Sequence, residues 1–406
     1  MRSAAVDALL TLPADAVVGS SPYCATPTTL LSALAEAVPG MKNPTLTAGL
    51  LLGESTVYDA IGRGALHLRT WHVSQEARSL SAQGRISYVP LRALDVAKRA
   101  FGQLDAAMVR VTPPDRNGQV SLGPSASYSR DMLLAARMRF AEVDETLPRT
   151  RGVDVSFSLD DFDVVIDSQT SAGKVRPPEP SERLRRVARN VVALIPDGAA
   201  IQLGIGTMSD AIAMELAESS LSGLRIIGMV TDHMLPLMNS SRIQSGSDSV
   251  VAVELLGSQE LFAWAHENES LLMASSATVH NPLWLSRQPN LVSVCSALEV
   301  DSTGQVVSEQ LGLHAIAGVG GAMDFFEGAH LSVNGMRIVA LPSSTSAGIR
   351  RVGNELDGGS AVTIPRHSVD AVVTEHGAAI LTGLSLAERR DALALVQEAE
   401  PSTVPL

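Results

Sequence analysis

The chain has 406 residues, of which 45% are hydrophobic and 18% are charged, and its formal net charge is −12. This length is enough for two or three domains that each bury a hydrophobic core. The acidic balance and the low aromatic content of 3% disfavour nucleic acid as a partner, because phosphate binding needs a basic surface. No apolar run approaches the roughly 18 residues of a membrane span, so we expect a cytoplasmic protein without a membrane partner.

Short β-branched apolar runs alternate with longer amphipathic runs, which is typical of an α/β fold. In the first half, the pattern predicts strands at 16–19 and 106–111 and helices at 28–37 and 128–138. In the second half, it predicts strands at 199–203 and 224–230, a helix at 210–217 and further units as far as 386–395. These predictions define the fold class but not the pairing of the strands.

A polar, proline-bearing stretch at 168–182 interrupts this periodicity and is the best candidate for a linker. Ser181 and Glu182 then predict a capped helix start, with the helix running to about Leu194. We therefore predict two α/β domains with open sheets, at 1–178 and 179–406, with an active-site cleft between them. Ligands of such sheets bind at the carboxyl ends of the strands.

A glycine turn follows the predicted strand at 199–203. Gly204 and Gly206 would allow a ligand to approach the backbone, and the free amides at the start of the next helix favour an anion. Asp232 ends the following strand, where a ribose-binding carboxylate of a dinucleotide-binding unit would lie, so an NAD-dependent dehydrogenase is one alternative. The third glycine of that motif is replaced by Ser209, and a tight turn without a ligand is an equal alternative.

A second glycine cluster consists of Gly318, Gly320 and Gly321. Its backbone amides could form a nest for an oxyanion or a phosphate, although a sharp bend between two elements would have the same composition. Asp324 and Glu327 follow it as candidate catalytic carboxylates, although such residues more often cap a turn or face solvent.

A rigid turn is predicted within 109–123, where Pro114 and Asp115 precede an Asn-Gly pair and a short segment with Ser121. These three residues are candidates for a substrate loop, because ordered loops at a cleft often position ligands. Turn chemistry alone would also explain them.

The histidines and cysteines give weaker signals. The nine histidines have no metal-binding spacing, so we predict no metal site. Cys295 lies in an apolar run, which favours a packed thiol over a nucleophile. His233 follows Asp232 directly, and adjacent strand residues point to opposite faces, so we expect no catalytic pair there.

In this order, the segments resemble the acetyl-CoA hydrolase/transferase family, which includes 4-hydroxybutyrate CoA-transferase and has the class I CoA-transferase fold. The similarity covers nearly the whole chain. The matching stretches are Thr112-Pro-Pro-Asp with Ser121-Leu-Gly, Leu147-Pro-Arg-Thr-Arg-Gly, Ile201-Gln-Leu-Gly-Ile-Gly, Ala297-Leu-Glu-Val-Asp, Gly318-Val-Gly-Gly with Asp324-Phe, Ala340-Leu-Pro-Ser and Val372-Val-Thr-Glu.

The resemblance implies a double displacement, in which a glutamate attacks an acyl-CoA and then carries CoA as a thioester. It implies CoA thioesters as substrates, with no permanently bound cofactor, a carboxylate, water or amine as acceptor, and a homo-oligomer such as a homodimer. Two sets of residues would form the oxyanion and CoA cradle: Gly204, Gly206 and Thr207, and Gly318, Gly320 and Gly321. Cys295, where the family usually has asparagine, and His314 are candidates for the CoA side of the site.

The family's catalytic glutamate lies in a Gly-Ile-His-Thr-Glu-Met pattern, which matches Gly228-Met-Val-Thr-Asp-His here. The resemblance therefore assigns Asp232 as the catalytic carboxylate, shorter than glutamate by one methylene. Three alternatives follow: a CoA-transferase adjusted to aspartate, a thioester hydrolase or acyltransferase that uses Asp232 as general base, or a CoA-thioester binder without turnover. Because no lysine follows Lys174, arginine must supply the positive charges of the second half.

Overall fold

The computed structural model describes residues 2–53, 55–173, 178–356 and 358–397. It confirms the predicted α/β fold, in which helices cover parallel sheets. The helices of this part of the chain are α1 (Arg2–Leu10), α2 (Thr28–Ala37), α3 (Ser55–Gly62), α4 (Arg78–Ala82), α5 (Ala93–Arg99), α6 (Ser129–Ala135), α7 (Glu182–Val192), α8 (Thr207–Glu218), α9 (Leu235–Met238), α10 (Gln259–Ala265), α11 (Ser276–Val279), α12 (Pro282–Leu285), α13 (Ala322–Leu331) and α14 (Leu386–Ala394).

The first half of the chain forms a seven-stranded parallel sheet, flanked by a small antiparallel pair, β6 and β8. The strand order in the sheet is β4-β3-β2-β1-β5-β7-β9. These strands are β1 (Val17–Ser20), β2 (Thr45–Ala48), β3 (His67–Thr70), β4 (Ile86–Tyr88), β5 (Leu104–Val111), β6 (Gln119–Ser121), β7 (Ala136–Val143), β8 (Ser156–Ser158) and β9 (Val164–Asp167).

The second half forms an eight-stranded sheet in the order β13-β12-β11-β10-β14-β19-β21-β22, parallel except at the β21–β22 pair. Short strands β15 to β18 and β20 form two small additional sheets. The strands are β10 (Ala200–Leu203), β11 (Arg225–Thr231), β12 (Val250–Leu256), β13 (Leu271–Met273), β14 (Leu291–Ser296), β15 (Glu299–Asp301), β16 (Val306–Val307), β17 (Gln310–Leu311), β18 (His314–Ala315), β19 (Met336–Ala340), β20 (Val352–Asn354), β21 (Ala371–Thr374) and β22 (Gly377–Ile380).

Local chemistry explains where several elements begin and end. The Ser181 side chain accepts a hydrogen bond from the backbone N–H of Leu184, so it caps α7 as predicted. The helix predicted at 128–138 is wrong at its C-terminal end, because α6 stops at Ala135 and the chain continues directly into β7. Pairing with β5 and β9 on its two sides holds β7 extended, which local periodicity does not reveal.

The two sheets approach one another through backbone contacts near the carboxyl ends of their strands. Ser125 forms a β-bridge with Glu254, and Arg92 forms one with Gly320. The boundary predicted at 178/179 stays a prediction, since residues 174–177 lie outside the described residues. Among the helices that the structure describes, none has the length and apolar character needed to cross a membrane.

Candidate active site

A cavity of about 250 Å³ lies between the two halves of the chain. In the first half, several of its lining residues closely follow the carboxyl ends of strands, as Tyr23, Gly49 and Trp71 follow β1, β2 and β3. In the second half, Gly204 directly follows β10, and Cys295 and Ser296 end β14. The carboxyl ends of both sheets therefore face one cavity, which is where α/β folds bind ligands.

The first glycine loop connects this cavity to a neighbouring cleft. Gly204 lines the cavity, whereas Gly206 and Thr207 line the cleft, at the start of the twelve-residue helix α8. Gly206 caps that helix with φ +111°, a backbone conformation that favours glycine. Ser296 and Ser308 line both spaces, so a long ligand could occupy the two together.

The second glycine loop packs closely against the first half. Gly318, Gly320 and Gly321 all line the cavity. A side chain at Gly318 would place its Cβ 2.3 Å from the carbonyl oxygen of Trp71, so glycine is required for this approach. The backbone N–H of Ala93 donates to the carbonyl of Gly320 at 2.9 Å. The loop is therefore held in place by the opposite half of the molecule.

Asp324 and Glu327 bind an arginine of the first half. The Arg92 guanidinium donates to Asp324 at 2.6 Å and to both oxygens of Glu327, at 3.1 and 2.7 Å. Burial raises the pKa of Asp324 to about 6, despite the opposing effect of Arg92. Neither carboxylate lines the cavity. Their structural function is to fix the start of α13 to the opposite half.

Asp232 lies in a short 3₁₀ turn directly after β11. Its two oxygens accept hydrogen bonds from the backbone N–H of Ser258 at 2.9 and 3.0 Å, and Oδ1 also accepts from the Ser258 hydroxyl at 3.1 Å. Ser258 in turn caps α10. Asp232 is not among the residues that line the cavity or the cleft, and its predicted catalytic role stays a prediction.

Glu254, on β12, is the buried carboxylate that lines the cavity together with both glycine loops. Its Oε1 accepts a hydrogen bond from the Ser125 hydroxyl at 2.8 Å, and the hydroxyl and backbone N–H of Ser127 act on the same carboxylate as further donors. Burial raises the pKa of Glu254 to about 8. Glu254 is not among the site residues predicted from the sequence. The available signal was a single acidic residue in an otherwise apolar strand.

Two histidines that were not predicted from the sequence also line the cavity: His280, which is buried, and His72, which is half-buried. Burial lowers the pKa of His72 to about 4 and that of His280 to about 3, so both imidazoles are neutral at pH 7. The His280 ring packs against Phe325 with their centroids 4.8 Å apart. These neutral rings give the cavity an aromatic, weakly polar wall.

The remaining predicted residues are distributed between the cavity and the surface. Cys295 lines the cavity, and burial raises the pKa of its thiol to about 12, so it is not a ready nucleophile. His314 is exposed on the β17–β18 hairpin. Pro114 and Asp115 lie on an exposed turn, and Ser121 is buried. None of these last four lines the cavity or the cleft.

Solved structures share this fold and define its class. RipA from Yersinia pestis is 24% identical with a TM-score of 0.89, and 4-hydroxybutyrate CoA-transferase from Porphyromonas gingivalis is 25% identical with a TM-score of 0.78. Each comparison covers 97% of this chain and 93% of the other. The architecture is therefore that of the CoA-transferase fold.

The sequence places the chain within a particular family of that fold. Residues 16–173 match the acetyl-CoA hydrolase/transferase N-terminal domain, and residues 257–404 match the acetyl-CoA hydrolase/transferase C-terminal domain. The chain belongs to the acetyl-CoA hydrolase/transferase family, which confirms the predicted resemblance.

The similar proteins include some named as CoA-transferases and others named as hydrolases. The 4-hydroxybutyrate coenzyme A transferase of Clostridium kluyveri is 35% identical over 327 residues, covering 78% of this chain and 75% of that protein. The butyryl-CoA:acetate CoA-transferase of Anaerostipes caccae is 29% identical over 391 residues, covering 91% and 86%. The acetyl-CoA hydrolase of Eremothecium gossypii is 26% identical over 326 residues, covering 70% and 62%.

Proposed function

We propose that this protein transfers CoA from an acyl-CoA thioester to a carboxylate acceptor. The observation that carries the proposal is the meeting of two glycine loops and a buried carboxylate in one cavity between the two sheets. Backbone N–H groups of such loops can stabilise the oxyanion that forms when a thioester carbonyl is attacked. The relatives named as CoA-transferases support the same reaction.

In this proposal, CoA extends from the cavity into the neighbouring cleft. The thioester occupies the cavity, and the chain of CoA passes Ser296 and Ser308, which line both spaces. The phosphates lie in the cleft near the N-terminus of α8, whose free amides and dipole attract anions. Arg183 and Arg351 also line the cleft. Because the chain has no lysine after Lys174, arginines such as these must supply the positively charged side chains in the second half.

Hydrolysis of the acyl-CoA is the second candidate, because acetyl-CoA hydrolases are among the relatives. A carboxylate that holds a water as general base would release free acid and CoA without an acceptor. Asp232, the sequence-predicted carboxylate, could serve either reaction only if it reached the thioester. Binding without turnover is the third outcome, and amine acylation the fourth.

One experiment separates these reactions. The purified protein is incubated with acetyl-CoA alone, with acetyl-CoA and butyrate, or with acetyl-CoA and an amine, and the products are resolved by chromatography. Butyryl-CoA formed only in the presence of butyrate supports transfer. Free CoA formed at the same rate without butyrate supports hydrolysis instead. Absence of turnover, with calorimetric binding of CoA, would leave a binding protein, and binding of NAD without CoA would contradict the proposal.

We further propose a cytoplasmic homo-oligomer, following the expectation from the family resemblance. Light scattering coupled to size-exclusion chromatography measures the assembly, and fractionation of the source cells measures the compartment. A monomer at working concentration would contradict the first of these two expectations.

A further inference from the structure

Strand β12 carries a carboxylate in surroundings that otherwise exclude charge. All seven residues of Val250–Leu256 are buried, and Glu254 is the acidic one among six apolar neighbours. Parallel strands covered on both faces are normally apolar throughout. A buried carboxylate costs free energy that packing alone does not return. Glu254 is therefore an exception that the packing of β12 does not explain, and its side chain lies at the wall of the cavity.

Contacts with the opposite half fix the position of Glu254. The backbone N–H of Leu255 donates to the carbonyl of Pro124 at 2.8 Å, and the N–H of Ala126 donates to the carbonyl of Val253 at 3.0 Å. The Ser125 hydroxyl holds Oε1 from the same segment. A side chain anchored in this way has little freedom to reorient, as a reacting group requires.

Asp232 lies in different surroundings, at the end of the strand that follows the first glycine loop and α8. Both of its oxygens accept hydrogen bonds from Ser258, so they are committed to the turn that starts α10. Glu254 lines the cavity with Gly204, Gly320 and Gly321, and Asp232 does not. The two carboxylates therefore differ in their access to a bound thioester.

We propose that Glu254, and not the sequence-predicted Asp232, is the carboxylate that attacks the acyl-CoA thioester. This inference rests on the proposed CoA transfer. It places the nucleophile of that reaction on β12, which pairs with β11, the strand that Asp232 follows. Asp232 is then a positioning residue of the β11–α10 junction. Ser125 is a positioning residue for Glu254.

The steps balance without a further reactant. A Glu254 oxygen forms a bond to the thioester carbonyl carbon, the C–S bond breaks, and CoA leaves as thiolate from a mixed anhydride. The thiolate then attacks the Glu254 carbonyl carbon, and the anhydride C–O bond breaks. The original acyl group departs as its carboxylate, and Glu254 now carries CoA as a glutamyl-CoA thioester. The acceptor carboxylate reverses both steps, which forms the new acyl-CoA and restores Glu254.

Mass spectrometry can locate the intermediate directly. The wild-type protein is incubated with acetyl-CoA without acceptor, treated with borohydride to reduce a thioester to an alcohol, and digested with trypsin. Cleavage after arginine separates Asp232, in the peptide 226–242, from Glu254, in the peptide 243–287. We expect the reduced side chain at Glu254, assigned by fragmentation. Modification of Asp232, or turnover with neither residue modified, would overturn the inference.

Variants distinguish failure of this inference from failure of the proposed function. Glu254→Gln is expected to lower CoA transfer by about a thousandfold or more, and Glu254→Asp by about a hundredfold. Both should still bind CoA by calorimetry. Glu260→Gln, an exposed change on α10 in the same tryptic peptide, is the matched control and should transfer CoA at the wild-type rate.

If Glu254→Gln transfers CoA at the wild-type rate, this assignment is wrong and the proposed function stands. If wild-type protein does not turn over acyl-CoA, the proposed function itself fails. Because the adduct is located in the wild-type protein, poor folding of a variant does not prevent the test.

Discussion

Glu254 and Asp232 illustrate how two carboxylates of one chain acquire different chemistry from their surroundings. Glu254 is 1% exposed and lies at the cavity wall with Ser125 and Ser127 as its donors, whereas the Asp232 carboxylate lies outside the cavity and receives hydrogen bonds from Ser258. Burial disfavours the charged form of a carboxylate. For Glu254 this effect exceeds the opposing effect of the hydrogen bonds from Ser127 and Ser125, and it raises the pKa to about 8.

The groups that face Glu254 do not change charge near pH 8. Burial raises the pKa of the neighbouring phenols above their usual range and that of the Cys24 thiol to about 12, and the two histidines of the cavity have pKa values near 3 and 4. The charge of Asp232 raises the pKa of the Cys24 thiol, and the charge of Arg110 lowers it. The titratable groups around Glu254 to which these pKa values belong are the phenols of Tyr23 and Tyr128, the thiol of Cys24, and the imidazoles of His72 and His280.

We therefore predict that CoA transfer rises with pH and levels off above about 8. Only the ionised carboxylate is nucleophilic, and with a pKa of about 8 roughly one tenth of Glu254 is ionised at pH 7. The measurement is kcat/KM between about pH 6 and pH 9, at constant ionic strength. A profile that is flat across this interval would contradict the assignment of Glu254 as the nucleophile.

The same pKa has a consequence for stability that provides a control. Because the native state holds the Glu254 proton more tightly than the unfolded chain, its contribution is fully present below the ordinary glutamate pKa and is lost as the pH rises towards 8. Glu254→Gln should remove this loss. Urea denaturation at several pH values should show the variant gaining free energy of unfolding relative to wild type as the pH increases.

A separate prediction concerns Asp232. Asp232→Ala should lower the free energy of unfolding by about 1 to 3 kcal/mol, because the Ser258 N–H and hydroxyl lose their acceptor at the start of α10. Asp232→Asn keeps one acceptor oxygen and should have a smaller effect. Urea denaturation measures both. Unchanged stability in the alanine variant would mean that Asp232 does not hold this junction.

At the scale of the element, the glycine loop at 318–321 depends on close backbone approach. We predict that Gly318→Ala raises KM for acyl-CoA and lowers kcat/KM by about tenfold or more, because the added Cβ would force the loop away from Trp71. Steady-state kinetics measure both constants.

The control for this change is Gly102→Ala, where an added Cβ meets no atom within 4 Å. It should have wild-type kinetics. Equal effects of the two substitutions would show that the approach to Trp71 is not the cause.

Elements that were predictable from local sequence are those stabilised by local interactions. α2 occupies Thr28–Ala37 as predicted, and Ser181 caps α7. The prediction at 128–138 was wrong where the chain enters β7, because pairing between distant strands outweighs helical periodicity there. The same limit applies to Glu254, since no local pattern places Ser125 against it.

At the scale of the whole molecule, the cavity is formed jointly by the two halves. Both sheets contribute the residues that follow their strand ends, and backbone bridges join Ser125 to Glu254 and Arg92 to Gly320. A ligand in this cavity contacts both halves at once. Binding is therefore expected to stabilise them together.

We predict that CoA at about one hundred times its Kd raises the free energy of unfolding by about 2.7 kcal/mol. Hydrogen exchange should slow in both 124–127 and 318–321, since these segments meet at the cavity. Exchange measured with and without CoA tests this expectation. Protection confined to one half would place the ligand elsewhere.

The sequence by itself determined the α/β class, the family and the two glycine loops, because these depend on local composition and on motifs in register along the chain. The family resemblance also assigned the catalytic carboxylate to Asp232. Only the tertiary structure brought Glu254 to the cavity, through the pairing of β12 with β11 and its contact with Ser125. The physical reason is that burial and side-chain access arise from the packing of distant segments, which spacing along the chain does not specify.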